Sequence, residues 1–235
     1  MADYDNDLNP VLEKARDDDL LPLVDYMLKK LSNEIDTDER YKANPKKPSA
    51  YADLLASEIR KFGGNSFANM FRGGKGVPYK EVVCDVADKM KVSYNKAYSV
   101  EEIEILIIQK TFEDSLEKMT DEEKVNVIKE LGIKNVPAGA SAAMIMQALV
   151  KMGKFKSYQI AVIVANSIAK FILGRGLSLA ANAGLAKALS IFAGPIGWVI
   201  SSLWMAIDIA GPSYKTTIPC VVHVAMLRQK QKCGR

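Results

Sequence analysis

The strongest constraint in this sequence is the near absence of acids from its last hundred residues. Residues 136–235 hold one carboxylate, Asp208, against 11 Lys and Arg; residues 1–135 hold 27 acids and 21 bases. The first part therefore carries −6 and the second +10, which a chain-wide +4 conceals. Within the basic part, Ala188 to Ile207 runs 20 residues without a charge, just long enough as a helix to cross a bilayer. Ala and Gly are frequent around it, so small-residue apolar helices must bury themselves against something. Two settings accommodate such a sign change. An acidic lobe can dock on a basic one, or a basic, apolar lobe can face anionic lipid. Nucleic acid fits poorly, because the bases are scattered among apolar residues and form no dense stripe that would track phosphates.

Periodicity along the chain is helical almost throughout, and the fold class expected is an all-α multi-helix bundle. Leu20, Leu21, Val24, Met27, Leu28 and Leu31 recur at helical spacing behind Asp17-Asp18-Asp19, acids that suit a helix start. Ser32 to Ser49 reads as a polar linker with Asn44-Pro45 and Lys47-Pro48. Helices are predicted over about 50–62, 79–91 and 99–119, with Ser99/Glu102 and Thr120/Glu123 forming capping boxes. Beyond Pro137 come apolar runs over 140–151, 158–173, 178–192 and 196–209, and a short helix over 220–228. Gly194-Pro195 reads as a turn or kink. The divisions are a helical module and linker over 1–45, an acidic lobe over 46–135 and a basic apolar lobe over 136–235.

Ala180, Gly184 and Ala188 fall four apart, as do Ser190 and Gly194, and Ala193 and Gly197. That spacing sets small residues on one helix face, where another backbone can approach closely. Trp198 and Trp204 suit a core and a membrane interface alike. Asp208 is isolated among apolar residues, so it needs a basic partner or a raised pKa; Arg175, Lys187 and Lys215 are the candidates.

Little in the sequence spells a reaction. Gly73-Gly74-Lys75-Gly76 lacks the full spacing of a phosphate-binding loop and follows a helix, so it reads as a helix–helix turn. The single histidine, His223, sits on an apolar run and cannot build a His-based metal site or a paired relay. The carboxylates at Glu101, Glu102, Glu104, Glu113 and Asp114 read as a solvated helix face. Cys84, Cys220 and Cys233 are odd in number and far apart, as befits free thiols in a reducing cytoplasm. The acidic, polar start does not read as a secretory signal. No cofactor or catalytic residue is expected.

Two blocks carry a resemblance. Gly64-Asn65-Ser66, continued from Arg72-Gly73-Gly74-Lys75-Gly76-Val77-Pro78-Tyr79 to Val86, is one. Gly194-Pro195-Ile196-Gly197-Trp198 followed by Asp208-Ile209-Ala210-Gly211-Pro212-Ser213-Tyr214-Lys215 to Pro219 is the other. Both resemble the YaaW-like family of bacterial proteins, and the first 32 residues resemble a short helical module fused to its front. That family is remotely grouped with ubiquinol-cytochrome c chaperones. The resemblance implies a helical fold and contact with apolar helices, and transfers no catalytic residue. The function expected is non-enzymatic: a chaperone-like or stress-related protein contacting an anionic membrane surface or the apolar helices of a client. Its place would be the cytoplasm, peripheral to the inner membrane or inserted in it. The rival is a pore-forming or toxin-like protein that inserts its C-terminal hairpin, and an enzyme with an unrecognised site is third.

Overall fold

The structure, a computed structural model, describes residues 4–29, 34–63, 76–178, 185–205 and 213–234. Among these residues it is all helix, the fold class that the periodicities predict. Two short elements open the chain, α1 (Asn9–Glu13) and α2 (Asp17–Leu28); α3 (Glu39–Ala43) and a 3-10 turn (Pro48–Tyr51) lead into α4 (Ala52–Gly63). Then come α5 (Tyr79–Lys89), α6 (Val100–Glu117), α7 (Asp121–Glu130) and α8 (Ala142–Lys151). The last three are long: α9 (Lys154–Leu173), α10 (Ala186–Met205) and α11 (Tyr214–Lys232).

Local chemistry fixes several boundaries. Ser99 and Thr120 each accept from the backbone N–H three residues on, and Glu102 and Glu123 accept from their backbones in return. Both capping boxes thus satisfy donors that a helix start leaves orphaned. Gly76 lies in left-handed backbone at φ +73°, where a Cβ would sit 2.7 Å from the Arg60 carbonyl carbon. Only glycine lets the chain return this tightly to the end of α4, and Val77 N–H then donates to Arg60 O at 3.2 Å.

The centre of the bundle is α11. Twelve consecutive residues, Thr216 through Leu227, are buried, because α1, α2, α4, α5, α6 and α9 surround the helix. Ile160 to Ala169 of α9 are buried likewise. A helix apolar all round has no solvent face to offer and belongs inside. Here the structure corrects the sequence reading, which gives this helix only residues 220–228. Pro219 forfeits one backbone hydrogen bond, yet the helix runs through it because every side is packed. α10 also carries a proline, although only its inner side is packed. A turn or kink is expected at Gly194-Pro195; the chain makes no turn there, and one helix continues from Ala186 to Met205 with Pro195 buried within it.

Candidate functional site

The surface that stands out is the outer side of α10. Its inner side packs on α9, α6 and α7 and buries Ala188, Phe192, Ile196 and Ile200. Phe192 stacks on Phe112 of α6, with centroids 4.3 Å apart and planes at 30°. Ala186, Ser190, Gly194, Trp198, Ser202 and Met205 face solvent. Their spacing of three or four places them on one stripe. Trp198 is 62% exposed and Met205 84%, and Phe171 of α9 is 41% exposed. Phe171 adjoins this surface, its Cδ2 lying 3.4 Å from where a Gly197 Cβ would be. Ala186–Leu203 is the one helical segment, among the described residues, long and apolar enough to cross a membrane by length and composition. Less than half of it, 39%, is buried.

Five of the eleven bases in the last hundred residues meet acids of the same chain. Lys187 at the start of α10 meets Glu130 at 2.6 Å, and Arg175 meets Asp25. From α11, Arg228 binds Glu104 at 2.7 Å, Lys230 binds Asp19 at 2.5 Å and Lys232 binds Glu101. Each pair joins a base of the last hundred residues to an acid of the first 135. Surface pairs of this kind contribute about 0–1 kcal/mol, but Glu104, Asp19 and Lys230 are buried. The Glu104 carboxylate also accepts from the Tyr79 hydroxyl at 2.8 Å. Arg228 reaches on to the Asp7 carbonyl at 2.6 Å. Burial raises the Glu104 pKa, with Arg228 and Tyr79 opposing. Glu104, expected on a solvated face, is therefore an internal anchor, because Arg228 from the middle of the bundle needs an acid.

His223 is fully buried and its Nε2 donates to the Asp19 carbonyl at 2.7 Å. The Tyr26 ring meets it edge-on at 6.1 Å. Burial pushes the imidazole down to about 4, so it is neutral at physiological pH and serves packing. Among the described residues no group of three metal-ligating side chains comes together.

The other residues singled out in the sequence fall as follows. Asp208, Gly184, Gly211 and Pro212 lie outside the described residues, as do Gly73, Gly74 and Lys75 of the glycine loop. Two bases named as partners for Asp208, Arg175 and Lys187, pair with other acids, and Lys215 is exposed. Gly194 faces solvent with no atom near its Cβ position, whereas Gly197 is buried against Phe171. Tyr214 opens α11, half-buried, with Lys89 Nζ 5.4 Å from its ring centroid. Phe171 went unnoticed in the sequence, since nothing local tells an exposed aromatic from a core one.

Comparison with known proteins gives a consistent picture. A family model described as Ubiquinol-cytochrome C chaperone matches residues 48–222. The chain is 46% identical to a UPF0174 protein of Helicobacter pylori (strain J99), over 97% of this chain and 92% of that protein. A UPF0174 protein of another Helicobacter pylori strain, 26695, is 36% identical over 86% of this chain and 99% of its own length. The UPF0174 protein YaaW of Escherichia coli (strain K12) is 27% identical over 85% of this chain and 81% of its own. No solved structure gives a significant match.

Proposed function

We propose that this chain, which belongs to the UPF0174 family of bacterial proteins, is a non-enzymatic, chaperone-like factor that rests on a membrane through the outer stripe of α10. The observation that carries the reading is the pairing of a twenty-residue helix, whose one charge is Lys187 at its start, with an unburied side bearing Trp198 and Met205. Large apolar side chains held in water are costly, and an interface that accepts them relieves that cost. Tryptophan favours the headgroup level in particular. The match to a chaperone family model supports work beside apolar helices of membrane proteins. Peripheral contact is preferred to full insertion because Phe192, Ile196 and Ile200 pack in the core, and crossing a bilayer would pull them out of it. Charge is a secondary contribution here, since five of the bases are already paired with acids of the same chain.

Vesicle flotation tests the reading. The full chain is mixed with phosphatidylcholine vesicles, alone or with phosphatidylglycerol. It should float with both and only modestly better with the anionic mixture. Replacing Trp198 and Met205 by serine removes on the order of 80 Å² of apolar burial, about 2 kcal/mol at roughly 25 cal/mol per Å². Partitioning should fall about thirty-fold. Absence of the parent from the lipid fraction, or equal flotation of the variant, refutes the proposal.

A further inference from the structure

A second surface, independent of α10, lies beside α8. The loop before this helix and the outer face of the helix border a groove of about 500 Å³. Met144, Ala148 and Met152 give it an apolar floor, while Lys134 and Lys151 stand at it; its lining includes no acid. Met144 is 45% and Met152 40% exposed. α8 is anchored on its other side, where Ile145, Met146 and Leu149 are buried against α6 and α9. The groove is thus an adaptable apolar surface on a fixed support.

We infer that this groove binds an acidic amphipathic helix of a partner protein. Three observations select that occupant. Methionine is unbranched and polarisable, so exposed methionines repack around varied apolar side chains. A floor supplied by one face of α8 suits a helix laid against it, its apolar residues at helical spacing meeting Met144, Ala148 and Met152. The two lysines, with no acid in the lining, favour carboxylates on the flanks of that helix and repel a basic one. The groove shares no residue with the α10 stripe.

The experiment uses the full chain and a fluorescently labelled synthetic 18-residue peptide, leucine on one face and glutamate on its flanks, with a second peptide carrying lysine in place of glutamate. Fluorescence polarisation at low salt should show the glutamate peptide binding at least about ten-fold more tightly than the lysine peptide. Reversing both charges, Lys134→Glu with Lys151→Glu, should invert that preference. Such an inversion is a gain that an unfolded variant cannot produce. Trp198→Ser should leave the glutamate peptide's affinity unchanged. Equal binding of the two peptides, no inversion in the double reversal, or loss of binding in Trp198→Ser overturns the inference. So does binding of sodium laurate at the groove without binding of the glutamate peptide, which would mark a site for a single acyl chain.

Discussion

Removing the carboxylate of Glu104 tests most directly how the two differently charged parts are held together. The side chain is only 1% exposed and is the meeting point of α5, α6 and α11. Glu104→Ala leaves the Arg228 guanidinium, 15% exposed, without its buried counter-charge, and strips the acceptor from the fully buried Tyr79 hydroxyl. Breaking a buried pair by deleting one partner costs about 3–5 kcal/mol, more than the pair itself contributes. For a chain of this size each kcal/mol moves Tm by about 2–4 °C, so calorimetry should show a fall of roughly 6–20 °C. Glu104→Gln keeps an acceptor in place and should cost less. The decisive control is the double replacement Glu104→Leu with Arg228→Met, which removes both charges together and should recover most of the loss. If Glu104→Ala melts within about 2 °C of the parent, Arg228 finds another partner or water, and the anchoring role assigned to Glu104 is wrong.

Two further outcomes follow from the geometry. His223, held down at about 4 when folded against an ordinary 6.5, leaves the unfolded chain binding more protons as pH falls, so its contribution to stability is complete above 6.5 and is lost between 6.5 and about 4. His223→Gln, which can still donate to the Asp19 carbonyl, should flatten the parent's decline by about 3 kcal/mol across that window in urea titrations; parallel curves for the two proteins would remove the histidine from the account. Gly76→Ala should cost at least about 1–2 kcal/mol from left-handed backbone alone, plus the clash with Arg60, and a variant as stable as the parent by thermal melting would contradict the described turn.

Much of the architecture is written locally, and what is missing has a physical pattern. The capping boxes at Ser99 and Thr120 are complete within four residues, so sequence alone locates those helix starts. The hardest elements are α10 and α11, whose prolines read as breaks. α11, surrounded on all sides, shows no polar stripe to mark its phase, and only tertiary packing tells that Pro195 and Pro219 are carried through. Charge is legible as a sum and illegible as pairs. The excess of acids before residue 136 and of bases after it suits docking of one on the other as well as an anionic lipid surface, and Asp19 with Lys230 and Glu104 with Arg228 lie 211 and 124 residues apart. Asp208, prominent by its isolation, lies outside the described residues, and two of its candidate partners, Arg175 and Lys187, meet Asp25 and Glu130. The α10 stripe was half visible: Trp198 announces itself, while Phe171 joins it only across the helix pair.

Placing α11 at the middle of the bundle also sets an order of events during synthesis. His223 touches the backbone of Asp19 across 204 residues, and Arg228 that of Asp7 across 221. Everything that surrounds α11 therefore leaves the ribosome before the helix that fills its centre exists. Closing loops this long is entropically slow, and until it happens α2, α4, α5 and α6 expose the apolar sides meant for α11. The nascent chain is thus an unfinished shell, prone to associate with other exposed apolar chains. Loss of α11 by premature termination should leave an aggregating remnant in place of a smaller folded protein.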